Sequence, residues 1–471
     1  MIVLALESST SSAKAVLYDT SQGLLAVNSC AYPAEICAGG VSDTSAVTAL
    51  TLETGAAISR GQSVEAVAVC GTWHSIGLCE RALNQPGKTY SWDFLPPSGQ
   101  CAQLRRDPVI TDELYSRTGC MPHMTYPRHA LRYLASQGLD LRRMQLISQG
   151  AYTFYRLTGE YRESISTVSG SGLLNIHTLQ YDAFVLDWLG LKPEQLAPLA
   201  TYRDVSPLTE EAAGQLGIAP GIPVVPAFPD GALNQFAAGS GTMGNMTLSI
   251  GTSAAIRMYT TAPKLPENHA LWCYYGVDSW MSGAATAGAG NCVNWFMERV
   301  LGRTLRFSDL ESQLWQMEDI PVFLPFLFGE RCPGWNDARR GGFFEVQPEH
   351  GAAELYRGLL AGILCNLYQC YEAVCALSGA PEQIHVSGGI LNSPGWTQML
   401  ANLFRHDLIC ANEPNMSTIG AAMLAARAAG EATAHLQSSA GQTYRVCPQP
   451  EQFAPHEAVY QRYLRAYQAA I

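Results

Sequence analysis

The sequence predicts a mixed α/β protein of two related domains that face each other across a ligand cleft. Three observations lead to this prediction: the chain has 471 residues, one segment pattern occurs near the start of each half, and strand-like and helix-like segments alternate throughout. A chain of this length is too long for one hydrophobic core and suits two large domains. The predicted boundary lies near residue 242, which gives domains 1–242 and 243–471.

Composition excludes several classes of protein. Hydrophobic residues make up 47% of the chain and charged residues 15%, so a disordered or fibrous protein is a poor match. The net charge of −11, with no Lys/Arg run, argues against nucleic acid and anionic membranes as partners. The most apolar helix candidate, 355–377, contains Arg357 and Glu372, which favours a core helix over a membrane span.

The cysteines and the N-terminus indicate the cellular compartment. Fourteen cysteines stand singly in apolar stretches, without the spacing of a metal site. The first ten residues, MIVLALESST, lack the basic segment and cleavage site of a signal peptide. We therefore expect a reduced cytoplasmic protein, and a homodimer is left open.

The repeated pattern predicts two β-hairpins. Residues 1–18 and 246–259 each consist of an apolar run, a cluster of small hydroxylated residues, and a second apolar run that ends in Tyr. A single turn of this kind is ordinary. Two copies, one opening each half, indicate paired phosphate-binding loops, because such turns present several N–H and hydroxyl donors and no bulky side chain.

The remaining elements follow in order from their periodicity. Strands are predicted over SVEAVAVCG, GIPVVPAF and QIHVSGG. Helices are predicted over the region from LYSRTGCM to YLASQG, over LISQGAYTFYRLT ending at Gly159, over GALNQFAAGSG, NCVNWFMERVL and 353–377 capped by Gly379, and over 394–404 and STIGAAMLAARAAG.

Asp230 is the main catalytic candidate. It follows the strand VVPAF and opens a helix in PAFPDGALNQF. Open α/β sheets bind ligands at the carboxyl ends of their strands. The residue could serve as a helix N-cap, which Asp fills well, or as the general base that takes a proton from an attacking hydroxyl.

A glycine turn supplies a weaker signal. Gly388 and Gly389 follow a strand, and Ser393 precedes a helix at Pro394. The turn fits any strand-to-helix connection, although absent side chains would let a flat adenine lie against the backbone. The sequence contains no GxxxxGK[ST] loop and no GxGxxG after a strand, which excludes the usual P-loop and dinucleotide folds.

Taken in order, these segments resemble the FGGY carbohydrate kinases of the actin-like ATPase superfamily over nearly the whole chain, first the gluconokinase-like branch and then the xylulokinases. The resemblance implies two actin-like (ribonuclease H-like) domains, ATP and Mg²⁺ as cofactors, and phosphorylation of a small sugar or sugar acid. The segments that carry it are Glu7 to Lys14, Trp73-His74-Ser75, TGCMPH, FYRLTGEY, SGLLNIHTL, PDGAL, SIGTS, FGERCPGWNDARRGGFF and SGG.

The resemblance also implies roles for individual residues. Asp230 would be the catalytic base, and Glu7 would help to hold Mg²⁺, directly or through water. The ATP site would be formed by Thr10, Ser11, Ser12, Lys14, Gly251, Thr252, Ser253, Gly290, Gly388, Gly389, Asn392 and Ser393. Trp73, His74 and His123 would contact the sugar together with Asp230.

Three departures from the family pattern bear on activity and substrate. The first loop has Glu7 and Ser9 where the family has Asp and Gly, and Gly is needed if that position requires a positive φ. The family's Trp-x-Asp-x-Arg is reduced to Trp92-Asp93, without the Arg. A family Lys is replaced by Ala130, with Arg128 two residues away as a candidate substitute.

These observations leave three functions open. An ATP-dependent kinase with gluconate as first candidate explains Asp230, both loops and the glycine turn together. A xylulokinase, or another ketose or polyol kinase, explains the same residues with a neutral substrate. In a different class, a catalytically impaired regulatory protein that binds ATP and sugar would explain Glu7, Ser9 and the missing Arg.

Overall fold

The structure is a computed structural model of the chain. It describes residues 1–80, 82–240, 243–311, 314, 317–411, 413, 415–431 and 443–469. The predicted domain boundary at residue 242 lies outside the described residues, so it stays a prediction.

The first half contains two sheets of five or more strands and short helices between their strands. Its strands are β1 (Ile2–Ser8), β2 (Ser12–Asp19), β3 (Gly23–Ala31), β4 (Cys37–Ala38), β5 (Val41–Asp43), β6 (Ala66–Gly71), β7 (Ile76–Glu80), β8 (Pro86–Tyr90), β9 (Met144–Ile147), β10 (Glu163–Ser164), β11 (Leu174–Asn175), β12 (Gln180–Tyr181), β13 (Leu199–Ala200), β14 (Ser206–Pro207) and β15 (Pro223–Pro229). Its helices are α1 (Thr44–Ser59), α2 (Ser98–Leu104), α3 (Pro108–Thr118), α4 (Pro127–Ser136), α5 (Gln149–Thr158), α6 (Ile165–Ser169), α7 (Ala183–Leu189), α8 (Glu210–Leu216) and α9 (Asp230–Gln235).

The second half contains one large sheet, a two-stranded sheet and longer helices. Its strands are β16 (Asn245–Ile250), β17 (Ala254–Thr260), β18 (Trp272–Tyr275), β19 (Trp280–Thr286), β20 (Val322–Leu324), β21 (Gly342–Phe344), β22 (Gln383–Ser387), β23 (Leu408–Ala411) and β24 (Thr443–Val446). Its helices are α10 (Gly290–Trp295), α11 (Phe307–Glu311), α12 (Ala352–Ser378), α13 (Pro394–Phe404), α14 (Met416–Ala428) and α15 (Phe453–Ala469).

The main sheets of the two halves have the same topology. The first runs β3-β2-β1-β6-β15-β14, and the second runs β19-β17-β16-β22-β23-β24 with β18 added outside β19. In each, two strands form an antiparallel hairpin, and the next two strands run parallel to the inner strand of that hairpin. The last strand is antiparallel to its neighbour. The internal duplication and the two-domain α/β fold predicted from the sequence are therefore confirmed.

The helix predictions hold where a cap fixes the boundary. Helix α13 spans the predicted 394–404, because the Ser393 hydroxyl accepts a hydrogen bond from Trp396 N at 3.1 Å and Pro394 occupies the first turn. Helix α12 ends at Gly379 as predicted. Among the described residues α12 is the one helix long and apolar enough to cross a membrane, yet 61% of its most apolar window is buried, as expected of a core helix.

Two helix predictions were wrong at their boundaries. The segment LISQG was assigned to a helix, but its first residues belong to β9, and α5 begins only after Ser148, whose hydroxyl accepts from Ala151 N at 3.1 Å. The region from Leu114 to Gly138 is two helices, because Gly119 with φ 68° ends α3 in a left-handed cap.

One helix of the second half completes a core of the first half. Helix α14 lies against β1, β6 and α9. Helices α14 and α9 approach so closely that a Cβ at Gly420 would clash with the carbonyl oxygen of Leu233. The small-residue face at 420–422 therefore serves close helix packing. The shared core includes Val3, Ala68, Phe228, Met416, Ile419 and Met423.

Candidate active site

A cavity of about 120 Å³ lies between the two halves and is lined by residues of both. The first half contributes the segment after β6 and the start of α9, which both follow the carboxyl ends of parallel strands. The second half contributes β17, β18, β19 and the loop after β20. The lining residues are Thr72, Trp73, His74, Trp92, Asp230, Ser253, Ala254, Ala255, Arg257, Trp272, Tyr274, Ala285 and Arg331.

Asp230 lines this cavity with a half-buried carboxylate. Its Oδ1 accepts hydrogen bonds from Gly231 N at 2.7 Å and from Trp73 N at 3.3 Å. The N-cap of α9 is Pro229, so the carboxylate does not act as the N-cap. Burial, together with the negative charge of Glu7, raises the pKa of Asp230. The residue is thus oriented by two backbone N–H groups and made more basic by its surroundings.

His74 presents a neutral ring to the same cavity. Burial and the nearby charge of Arg331 lower the pKa of His74 to about 3. Its Nδ1 lies 2.5 Å from the carbonyl oxygen of Gly170, and because a carbonyl can only accept, Nδ1 carries the proton. The other ring nitrogen, Nε2, is therefore an acceptor, which suits a substrate hydroxyl.

Aromatic side chains form the wall around His74. Trp73 lies with its ring centre 5.0 Å from that of Tyr274, and Trp272 stacks on Tyr274 at 4.1 Å with an interplanar angle of 5°. The indole Nε1 of Trp73 donates to Ser166 O at 3.0 Å, which fixes the ring. Such flat apolar surfaces are typical of sites that hold small ligands in one orientation.

Two arginines in the cavity wall were not identified from the sequence as site residues. Arg257 lies on β17 and its Nη1 donates to Ser249 Oγ at 3.0 Å. Arg331 lies in the loop GERCPGW. The residue before it, Glu330, forms a buried ion pair with Arg339 at 2.8 Å. The signal that could have found Arg257 is a lone charged residue in the otherwise apolar strand AAIRMY.

The first predicted phosphate loop is closed by serine hydroxyls. Ser9 N donates to Ser12 O at 3.0 Å, and the Ser9 hydroxyl donates to the same oxygen at 2.7 Å. The Thr10 hydroxyl accepts from Trp92 Nε1 at 3.0 Å, and Ser11 is exposed at the tip. Ser9 does not have a positive φ, so a side chain is tolerated where the family has Gly.

Glu7 is buried at the end of β1 and connects the two halves. Its Oε2 accepts from the Ser417 hydroxyl at 3.2 Å and from the Thr418 hydroxyl, both at the start of α14. Lys14 stands directly opposite Glu7 in the antiparallel pair β1–β2, so their side chains point to the same face. The carboxylate and the ammonium thus lie beside the first loop.

The second predicted phosphate loop connects β16 and β17. Gly251 N donates to Ser253 O at 2.9 Å, which closes the turn. The start of α10 packs on it, with Gly290 N donating to Gly251 O at 2.8 Å and Asn291 N to Thr252 O at 3.1 Å. A Cβ on Gly290 would lie 2.6 Å from Gly251 O, whereas a Cβ on Gly251 would meet no atom within 4 Å. Gly251 therefore leaves open space beside the loop.

The two glycines of the SGG turn have different reasons to be glycine. Gly388 has φ 97°, and a Cβ there would lie 2.5 Å from the carbonyl oxygen of Ile250. Gly389 has room, since a Cβ would come no closer than 3.9 Å to that oxygen. The absence of a side chain at Gly388 thus lets the turn pack directly against the end of β16. The backbone at Gly389 leaves a free surface beside the turn.

Asn392 and Ser393 follow this turn at the start of α13. Asn392 is exposed. The Ser393 hydroxyl donates to Glu311, with distances of 2.7 Å and 2.8 Å to its two carboxylate oxygens. Their predicted contacts with a nucleoside stay predictions, and Ser393 has a structural role as a helix cap.

His123 lies away from the cavity wall. Its Nε2 is 2.6 Å from Asp337, which also accepts from Arg105 at 2.8 Å. The other ring nitrogen accepts from Thr125 N at 3.2 Å. His123 therefore joins the first half to the segment after GERCPGW, and its predicted sugar contact stays a prediction without support from this geometry.

The interpretation of Arg128 as a substitute for the family Lys is wrong. Arg128 is 0% exposed. Its guanidinium donates at 2.5 to 3.5 Å to Thr118, Cys120, His129 and Gly172. The donors are thus used inside the first half and do not reach the cavity.

The fold and the cavity together define a two-domain phosphotransferase of actin-like architecture. The chain belongs to the FGGY family of carbohydrate kinases. The family model of the N-terminal domain matches residues 2–237, and the family model of the C-terminal domain matches residues 246–429. The protein is therefore a carbohydrate kinase.

Individual relatives carry two different substrate names. The gluconokinase of Bacillus subtilis is 27% identical over 71% of this chain and 69% of the relative. The xylulose kinase of Lactococcus lactis is 24% identical over 99% of this chain and 96% of the relative. The xylulose kinase and the gluconate kinase of Lactobacillus acidophilus have TM-scores of 0.92 and 0.91, each at 24% identity over 99% of this chain and 98% of theirs. This structural likeness shows the fold.

Proposed function

We propose that this protein transfers the γ-phosphoryl group of ATP, in the presence of Mg²⁺, to a hydroxyl of a small sugar or sugar acid bound in the cavity. Gluconate is the first candidate acceptor and xylulose is the alternative, since relatives of both names are similar to the chain. The observation that carries the proposal is the position of Asp230, which borders the cavity that reaches Ser253 of the second loop.

Asp230 acts as the general base. Phosphoryl transfer needs little covalent chemistry from the protein, so its main tasks are to position the hydroxyl, take its proton and stabilise charge. Two backbone N–H groups, from Trp73 and Gly231, hold the carboxylate in place. Its raised pKa makes the carboxylate a better proton acceptor than an ordinary Asp.

The two loops bind the phosphates. Backbone N–H groups and the hydroxyls of Thr10, Thr252 and Ser253 supply neutral donors, and Lys14 supplies a positive charge. The open space beside Gly251 admits phosphate oxygens close to the backbone. Gly389, with its free surface, supports the placement of the nucleoside beside the SGG turn.

The residues present fit an ATP-bound Mg²⁺. Within the described parts of the chain, no three His, Cys, Asp or Glu side chains form a metal cluster. Mg²⁺ at kinase sites commonly uses one or two carboxylates plus water and phosphate oxygens, and Glu7 and Asp230 are near enough for the charge of one to raise the pKa of the other. When bound, the ion would neutralise charge on the phosphates.

The acceptor is oriented by His74 and the aromatic wall. The neutral His74 ring offers Nε2 as an acceptor to a hydroxyl, and Trp73 and Trp272 supply flat surfaces. Because both halves line the cavity, their approach on ligand binding would exclude water from the transferring group.

A catalytically impaired binding protein is the second candidate, and it now has less support. One reason to suspect impairment was Ser9 at a position where Gly could be needed. Ser9 has no positive φ and its hydroxyl closes the turn, so this departure is compatible with a formed loop. Glu7 and the missing Arg after Trp92 remain the features that favour this candidate.

The proposal is tested by an ADP-release screen with gluconate, xylulose, ribulose and glycerol, followed by mass detection of the product. We expect ATP-dependent release and a product heavier by one phosphoryl group for one of the first three. ATP and sugar binding without any phosphorylated product, in wild type with Mg²⁺, would favour the binding protein instead.

A further inference from the structure

The cavity contains more positive than negative charge. Its wall includes Arg257 and Arg331 as cations, Asp230 as the anion, and His74 as a neutral ring. Two guanidinium groups against one carboxylate give the wall an excess of one positive charge. A buried excess charge is costly unless a partner of opposite sign neutralises it.

Neither arginine has an ion-pair partner in the described residues. No carboxylate oxygen there lies within 4.0 Å of either guanidinium group, and the charge of Asp230 acts on Arg257 only from beyond that distance. Each also has an Nε that is buried and finds no acceptor among the described atoms. The same is true of the indole Nε1 of Trp272 in the same wall. Three donors of one cavity wall are thus short of acceptors.

The buried Arg339 differs from these two because a carboxylate neutralises its charge, although its Nε likewise finds no acceptor among the described atoms. Arg339 is 6% exposed and pairs with Glu330 at 2.8 Å, and its Nη2 donates to Tyr467 O at 2.7 Å. Arg128 reaches several protein acceptors. Among the residues that the structure describes, Arg257 makes one hydrogen bond, to the neutral hydroxyl of Ser249. A ligand that brings negative charge would complete its environment.

We propose that Arg257 and Arg331 form a carboxylate-binding subsite, so that the acceptor is a sugar acid whose carboxylate lies between them while a hydroxyl reaches Asp230. This inference rests on the proposed kinase function and selects one class among its acceptors. Planar guanidinium groups match a carboxylate through paired hydrogen bonds. The two arginines are then specificity-determining residues, because a neutral polyol would leave both charges uncompensated.

The γ-phosphate of ATP is the other anion that enters this region. The charge of Arg331 acts on His74 and Tyr274, which line the aromatic side of the cavity and do not belong to the loops. This placement favours the acceptor over the nucleotide as the partner of Arg331. The experiment must still separate the two anions.

A matched pair of acceptors isolates the carboxylate. Gluconate and glucitol have the same chain of hydroxyls and differ in one end group, a carboxylate against a hydroxymethyl. We compare kcat/KM for both in wild type, Arg257→Met, Arg331→Met and Arg257→Lys. Arg445→Met is the control, because Arg445 is 63% exposed on β24 in a surface pair with Asp407 and such pairs contribute little.

We expect wild type to prefer gluconate. Each Met variant should lose about 10- to 100-fold in kcat/KM for gluconate, the usual cost of one hydrogen bond to a charged group, and change little on glucitol. Arg257→Lys should retain part of the activity, since it keeps the charge but not the fork. The control should match wild type on both acceptors.

Binding without nucleotide provides a second readout. Trp73, Trp92 and Trp272 line the cavity, so gluconate should change tryptophan fluorescence, with affinity reduced in both Met variants. Equal losses on gluconate and glucitol, with unchanged gluconate binding, would overturn the inference and assign the arginines to phosphate. A wild-type preference for xylulose or glucitol would also overturn it, whereas no product from any acceptor would contradict the kinase proposal itself.

Discussion

The two halves share one strand order but use the helix after their fifth strand differently. In the first half β15 leads into α9, which begins with the cavity carboxylate Asp230. In the second half β23 leads to α14, whose first turn carries Ser417 and Thr418, and these hydroxyls donate to Glu7 of the first half. One topological position therefore supplies a carboxylate in one half and donors that hold a carboxylate in the other. The difference teaches that the chemistry depends on single residues placed on a common scaffold.

The hairpin turns of the two halves differ in the same way. The first is closed by the Ser9 hydroxyl and has no glycine, while the second is built on Gly251 with open space beside it. We interpret the first as a phosphate loop stabilised by its own side chains and the second as a phosphate loop whose backbone is left uncovered beside Gly251. The following predictions test the comparison, beginning with the largest effect.

Asp230→Asn should lower kcat by about 10²- to 10⁴-fold, the usual loss of a general base. The amide is nearly the same size and can still accept from Trp73 N, so thermal stability should stay close to wild type. Steady-state kinetics and a melting curve check both parts. Asp187→Asn, at an exposed position on α7, is the control. Near-normal turnover of Asp230→Asn would show that the Asp230 carboxylate has no catalytic role.

The pH dependence of kcat/KM should have an acid limb set by Asp230. Its pKa is raised, and the base works only when deprotonated, so activity should fall as pH decreases through a value above that of an ordinary Asp, about 3.9. Because the pKa of His74 is lowered to about 3, no limb near 6.5 should come from His74. A limb near 6.5 that disappears in His74→Gln would contradict this assignment.

Gly388→Ala should destabilise the second half strongly. A φ of 97° with ψ of −171° is a conformation that costs other residues about 1–3 kcal/mol, and the added Cβ also meets Ile250 O at 2.5 Å. Gly389→Ala is the matched control one residue away, with an expected change within about 0.5 kcal/mol. Thermal unfolding of the two variants decides the point, and equal melting temperatures would refute the distinction.

Placing alanine in each hairpin turn should separate stability from nucleotide binding. Ser9→Ala removes the closing hydroxyl and should cost about 1 kcal/mol of stability, with little change in KM for ATP. Gly251→Ala meets no protein atom within 4 Å, so stability should be retained while KM for ATP rises about tenfold, or about 1.4 kcal/mol. The reverse pattern would mean that the second loop does not face the phosphates.

Local patterns in the sequence predicted much of this fold. The two hairpins could be predicted because each is formed by residues that are adjacent in the sequence. A pattern of an apolar run, small residues and a second apolar run is therefore sufficient to indicate them. The ends of α12 and α13 were found because Gly379 and Ser393 cap them. Asp230 was located because a strand, a Pro and an Asp in succession mark the carboxyl end of a sheet.

Long-range contacts could not be predicted. Arg257 and Arg331 are 74 positions apart in the chain numbering and meet only because β17 and the loop after β20 border one cavity. Arg128 was misjudged because the sequence gives no sign of the acceptors around it, which come from four other positions. The link between Glu7 and α14 joins residues 410 and 411 positions apart.

The crossing of α14 onto the first half has a consequence for biosynthesis. One face of the first sheet is covered by residues such as Ile419 and Met423, which leave the ribosome after more than four hundred others. Until then the nascent first half exposes apolar surface that its own residues do not cover. We expect a fragment that ends at residue 235 to bind chaperones or aggregate, and to become soluble when the second half is supplied in trans.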